Sequence, residues 1–318
     1  MSPDRTARHW AEIGESTSVL GILLLFWIHR LFGRWLFRVC LWPVVFGYWV
    51  ARPSLRAASL DYLNRIERAT GAIGHPPGSL DSLRHVNMFA ESLLDKLLAV
   101  SGRYRLDVLR VRGNESIDAA ALGRRGGVIV TAHMGCLELV RAVAQKRTDV
   151  RLNILVHTRH AQQFNQLLKR LDPTSDLNFI ETTEVDPATA VMLDAKVAAG
   201  EFVVIAGDRV PVNLSQTVDV EFLGERAPFP VGPYILASLF KCPLYLLACV
   251  HEGDGYCAHF ELLAEEVVLP RNARASALVE YASRYMKALT KVLSLAPYDW
   301  FNFYFFWDQP HAQRQARS

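Results

Sequence analysis

The stretch RRGGVIVTAHMGCLELVRA, residues 124–142, changes character at its midpoint. GGVIVTA is a glycine-bounded run of β-branched and small residues, the pattern of a buried strand, whereas LELVRA and the residues after it carry helical spacing. His133 closes the strand-like half and Glu138 opens the helical half, giving H-x4-E. On one continuous helix, five residues at about 100° each would leave the two side chains about 140° apart. They can meet only if His133 lies on the loop before the helix, and Gly135 makes that turn plausible. A histidine beside a carboxylate at the carboxyl end of a strand, where α/β sheets place their sites, is a general base with its orienting group. The same spacing also arises wherever a His and a Glu merely flank a turn.

The alternation continues outward from this stretch. LNILVH is followed by AQQFNQLLKRL, NFIET by PATAVMLDAKVAAG, and FVVIAG by a long loop; VGPYILASLF and PLYLLACV come later. Upstream, Asp61 to Thr70 and HVNMFAESLLDKLLAVSG read as helices. Downstream, one or two edge strands after His259 precede a long helix over Arg274 to Ser294. Strands alternating with helices argue for an α/β sheet with flanking helices. A chain of 318 residues, 51% apolar and 21% charged, has enough apolar surface for a substantial core.

Charge and cysteine content narrow the function. The net charge is +3 with no run of five basic residues, which gives no sign of nucleic-acid binding. Five cysteines form neither a C-x-x-C pair nor a dense framework, so a disulfide scaffold and a zinc ribbon are excluded and a reducing compartment fits. The charge is uneven: residues 1–66 hold eight Arg against four acids. No Asp or Glu occurs from Ser16 to Leu60, and Val19 to Val50 is dominated by large apolar residues. Arg30, Arg34 and Arg38 interrupt this run at four-residue spacing, which predicts a basic stripe on a helix whose remaining surface carries Leu31, Phe32, Trp35, Leu36 and Phe37. Such a segment is expected to associate with an anionic membrane, either lying in the interface or spanning it. The expected division is a hydrophobic, Arg-striped helical segment at 1–60 and an α/β domain at 61–318.

Ordered blocks then give a family resemblance. GGVIVTAHMGCLE is similar to the G-G-x-x-hydrophobic strand and H-x-G-N-W-E block of the lipid A late acyltransferases, the lauroyl and myristoyl transferases of the lysophospholipid acyltransferase superfamily, with Cys136 and Leu137 replacing Asn and Trp. Arg159, Asn165 and LLKRL resemble a second block. GDRVPVNLSQTVDVEFLGERAPFPVGPYILASLFKCPLYLL resembles a third, through Asp208, Phe222, Gly224 and Gly232. The likeness covers essentially the whole chain. It implies a glycerolipid acyltransferase-like α/β fold, a central mixed sheet flanked by helices, with an N-terminal membrane element. It also implies transfer of a fatty acyl group from an acyl-carrier-protein or CoA thioester to a hydroxyl of a glycolipid-like acceptor, with no metal or other cofactor. Under that resemblance His133 takes the hydroxyl proton and Glu138 holds the imidazole. Arg159 and the backbone N–H groups around Met134 and Gly135 meet the oxyanion, Asp208 orders a covering loop, and Asn165 belongs to the substrate site. The partners would be membrane lipids and acyl carrier protein, and the location the cytoplasmic face of a bacterial inner membrane.

One block departs from the family. Where lipid A acyltransferases carry an aromatic and an R-x-K-like basic cluster, this chain has APYDWFNFYFFWDQP, with seven aromatics in the eight residues from Trp300 to Trp307. This favours an acceptor related to lipid A rather than lipid A itself, and the run reads either as a buried final strand or as an acyl-facing wall. Cys136 is expected to be a packing residue, and His157 with His160 lacks a further ligand at metal-site spacing. Lys169, Arg170, Arg124 and Arg125 could receive an acidic carrier protein. Two rival functions stay open: a lysophosphatidic-acid-type acyltransferase, a branch that usually has Asp at the Glu138 position, and an inactive lipid-binding protein, which should have lost His133 or Glu138.

Overall fold

The computed structural model describes residues 19–147, 149–156, 179–181, 186–209 and 217–309. Among the described residues seven strands form a mixed sheet: β1 (Arg110–Arg112), β2 (Gly127–Thr131), β3 (Leu152–Val156), β4 (Phe179–Glu181), β5 (Phe202–Ala206), β8 (Leu244–Glu252) and β9 (Gly255–Ala264), in the order β1-β9-β8-β2-β5-β3-β4. Only β8 and β9 pair antiparallel; every other neighbour is parallel. β2 is central and buried along its length, as its unbroken GVIVT run requires of a strand covered on both faces. A separate hairpin pairs β6 (Thr217–Phe222) with β7 (Glu225–Pro230).

Helices α1 (Val19–Ala51), α2 (Pro53–Thr70), α3 (Ser79–Val100), α4 (Glu115–Leu122), α5 (Leu137–Ala144), α6 (Pro187–Ala198), α7 (Gly232–Leu239) and α8 (Arg274–Leu295) flank the sheet. Local signals set their ends. Pro53 opens α2, and Gly71 closes it at φ 66, donating its N–H to the Glu67 carbonyl. Asp186 caps α6 by accepting the Thr189 N–H at 2.7 Å. The expected mixed sheet and flanking helices are both present. β9 differs from expectation: it is not an edge strand, because the short β1, which has no apolar run to announce it, pairs outside it.

The N-terminal helix departs further from its reading. Gly33, at φ 82 and ψ −177, breaks α1 between Arg30 and Arg34, so the three Arg residues do not share one continuous stripe. Arg34 donates to Asp95 at 2.8 Å and Arg38 to Glu91 at 3.0 Å, both acids on α3, while Arg30 lies over the Trp27 ring. Asp95 is fully buried, and a buried carboxylate needs such a partner. Arg34 and Arg38 turn toward protein carboxylates, and the apolar residues Leu31, Phe32, Trp35 and Trp42 are exposed. Among the described residues no helix is long and apolar enough to cross a membrane. The expected division at residue 60 falls inside α2.

Candidate active site

β2 and β5 run parallel with Thr131 opposite Ala206. The residues two positions beyond, His133 and Asp208, therefore leave the sheet side by side at its carboxyl edge. His133 Nδ1 lies 2.8 Å from Asp208 Oδ1, and the His133 backbone N–H donates to Oδ2 at 2.8 Å. The same Oδ2 accepts the Trp300 indole N–H at 2.9 Å. A carboxylate can only accept, so Nδ1 carries the ring proton and Nε2 presents its lone pair. Burial would push the Asp208 carboxyl up, yet the His133 ring beside it, hydrogen bonds from that residue and the Arg209 guanidinium hold it well below the usual carboxylate range. The His133 side chain is 46% exposed and that of Asp208 1%. The ring is open and its support is dry.

The orienting carboxylate is therefore Asp208, which corrects the assignment to Glu138. Glu138 lies in the first turn of α5, and its Oε1 stands 3.9 Å from Lys96 Nζ while Oε2 faces the Cys136 thiol at 3.8 Å. Sequence nearness favoured Glu138; strand register favours Asp208. Asp208 thus has a direct place on the catalytic-type ring instead of only ordering a loop.

Gly135 makes the turn, and its backbone conformation explains the residue. Its φ is +48°, and a Cβ there would lie 1.8 Å from the Cys249 carbonyl oxygen, so no side chain fits. Its N–H donates to the Asp299 carbonyl at 3.0 Å, and the Met134 N–H to the Ala132 carbonyl at 2.8 Å. Both groups expected to meet an oxyanion are committed to protein acceptors. Arg159 and Asn165 lie outside the described residues, as do His157, His160, Lys169 and Arg170.

The aromatic run contributes directly. It forms no regular strand; a single bridge joins Trp300 to Met134. Trp300, Phe306 and Trp307 are buried, with Trp300 edge-on to Phe222. Beyond holding Asp208, the segment fixes the turn through the Asp299 carbonyl on Gly135 and the Phe301 N–H on the His133 carbonyl at 2.9 Å. Arg209 in turn donates to the Phe301 carbonyl at 3.2 Å. Sequence reasoning missed the role of Trp300. It also missed a second pair, His251 Nδ1 with Asp299 Oδ1 at 2.9 Å. Cys136 is fully buried, and burial with the Glu138 charge pushes its thiol well up, so it is a poor nucleophile.

A carboxylate-held imidazole at the carboxyl edge of an α/β sheet has the geometry that general-base chemistry needs. The chain belongs to the bacterial lipid A biosynthesis acyltransferase family, whose model matches residues 85–307 and so spans both His133 and Trp307. Membership places it among the acyltransferases of lipid biosynthesis. A search of curated proteins gives no match.

Proposed function

We propose that this chain is an O-acyltransferase that moves a fatty acyl group from an acyl-carrier-protein or CoA thioester to a hydroxyl of a glycolipid-like acceptor. The observation that carries this reading is the His133–Asp208 pair. His133 Nε2 takes the acceptor hydroxyl proton while Asp208 keeps the other ring nitrogen protonated and stabilises the imidazolium. The acceptor oxygen then attacks the thioester carbon, the C–O bond forms, the C–S bond breaks, and the imidazolium proton is available to the departing thiolate. No acyl-enzyme is required and the transfer uses no metal. Arg159 is the proposed donor to the developing oxyanion, with Asn165 beside the substrate.

The acceptor is bilayer-bound in this reading, and α1 brings the site to it at the cytoplasmic face of a bacterial inner membrane. Support comes from the exposed Leu31, Phe32, Trp35 and Trp42, large apolar side chains of the kind a membrane interface covers. Arg34 and Arg38 brace the helix against α3.

Transfer assays with purified protein, offering acyl carrier protein and CoA thioesters against a glycolipid and a lysophosphatidic acid, test the proposal. Label on the glycolipid that disappears in His133→Ala is expected. Label on lysophosphatidic acid alone would assign the phospholipid branch, and binding without transfer the inactive reading.

A further inference from the structure

A polar cluster occupies one face of the sheet where β1, β9 and β8 meet. Across the β8–β9 hairpin, Cys257 stands opposite Val250 and His259 opposite Ala248, so both share a face with Glu252. One ligand atom from each of Glu252, Cys257 and His259 lies within 4.8 Å of the other two. Glu252 Oε2 and His259 Nε2, 3.8 Å apart, are buried without a hydrogen-bond partner among the described residues. Buried polar atoms left this way are costly. Cys257 is fully buried beside them.

We propose that Glu252, Cys257 and His259 form a site for a divalent cation of the zinc class, with water completing a four-coordinate shell that clips the β8–β9 hairpin. Thiolate, imidazole and carboxylate together are a zinc-type donor set. A tetrahedral shell with zinc–sulfur near 2.3 Å and zinc–nitrogen or oxygen near 2.0–2.1 Å would set the ligand atoms roughly 3.3–3.6 Å apart. The Glu252–His259 separation of 3.8 Å is close to that spacing, and all three ligand atoms lie within 4.8 Å of one another.

Binding must expel the Cys257 thiol proton to solvent as the sulfur–metal bond forms. Arg110 and Arg112 pair with Glu252 Oε1, which leaves Oε2 for the cation. The two guanidinium groups oppose a dication, but they also favour the thiolate that the cation requires.

The test uses the full chain purified in detergent, with zinc and cobalt(II) as the probes. About one zinc per chain should survive gel filtration, and cobalt should give a near-ultraviolet thiolate-to-metal band. Cys257→Ser and His259→Gln should each lose the bound metal, and Glu252→Gln should weaken it at least tenfold. Zinc should raise the thermal midpoint of the native chain and leave that of Cys257→Ser unchanged. No retained metal, or retention undiminished in the variants, would overturn the proposal. The cobalt titration needs no variant, and binding without the thiolate band would overturn it equally.

Discussion

His133 and His251 each give a backbone N–H and a ring Nδ1 to the two oxygens of one buried aspartate, Asp208 in the first case and Asp299 in the second. The local hydrogen bonding is nearly the same, but the surroundings differ. The His133 side chain is 46% exposed at the end of β2, whereas that of His251 is 22% exposed and packs on Tyr256 with ring centroids 4.0 Å apart. A carboxylate fixes a tautomer in both; only an open Nε2 can meet a substrate hydroxyl. Residues 299–301 join the two pairs, since Asp299 belongs to one and Trp300 holds the Asp208 of the other.

The largest effect should follow from His133→Ala. General-base catalysis is typically worth about 10² to 10⁴-fold, so kcat should fall by that order while circular dichroism stays unchanged, because the ring is half exposed. Asp208→Asn should come close to this loss, since an amide cannot hold the ring tautomer and the His133 N–H and Trp300 N–H lose their shared acceptor. Glu138→Gln sharpens the assignment: activity should stay within about tenfold, below the range of about 10² to 10⁴-fold that marks a lost general-base function. A Glu138→Gln enzyme as damaged as Asp208→Asn would return the orienting role to Glu138 during turnover.

How far these roles could be read from the chain depends on distance along it. H-x4-E is local, and it led to His133 and to the turn at Gly135. Asp208 lies 75 residues from His133, and its role depends on β5 entering the sheet beside β2, which no local pattern encodes. A usable signal was present even so: GVIVT and FVVIA each deliver a polar residue two positions past the strand end. The stripe of Arg30, Arg34 and Arg38 failed for the opposite reason. Helical periodicity was extended across Gly33, and the acids that pair with Arg34 and Arg38 lie on α3, more than fifty residues away. The aromatic run announced burial but not the indole N–H that supports Asp208.

His251→Ala probes the other half of the comparison. It leaves the Asp299 carboxylate, 1% exposed, without its ring partner, and a hydrogen bond to a charged group typically contributes about 1.5–3 kcal/mol. The His251 backbone N–H stays on the carboxylate, so a loss of roughly 2–3 kcal/mol is expected in denaturant unfolding, with transfer per folded molecule within tenfold. A His251→Ala protein that stays stable but loses turnover as His133→Ala does would give the second pair a chemical role.

A third histidine ties both pairs to pH. His85 is fully buried; its Nε2 donates to the Trp300 carbonyl at 2.8 Å, and its Nδ1 accepts from Ser59 Oγ at 3.0 Å. Burial lowers its pKa from 6.5 to about 4. Between those values the unfolded chain binds the extra proton and the folded chain does not. Stability should therefore fall with acidification through that window, by up to about 1.4 kcal/mol per pH unit and roughly 3 kcal/mol in all. Below the normal carboxylate range the depressed Asp208 adds a further loss, because its stabilising ionised form persists in the fold while the unfolded chain protonates. In His85→Gln the loss between pH 6.5 and 4 should flatten, as denaturant titrations at stepped pH would show. An unchanged slope would mean that another group carries the acid sensitivity.

The smallest effect is expected at the seam between the two strands that carry the pairs. The Cys136 N–H donates to the Cys249 carbonyl at 2.9 Å, so the backbone already does the joining, and the fully buried, high-pKa thiol has only packing left to contribute. Cys136→Ala removes one buried sulfur, a loss of about 1 kcal/mol in the range of small core truncations. Transfer should stay near the native rate, and mass spectrometry after exposure to the thioester alone should find no acyl group on the protein. An acyl adduct that the acceptor discharges would establish a ping-pong route through a nucleophile. It would also end the comparison in its present form, because His133 would then be activating a side chain of the protein rather than the hydroxyl of the acceptor.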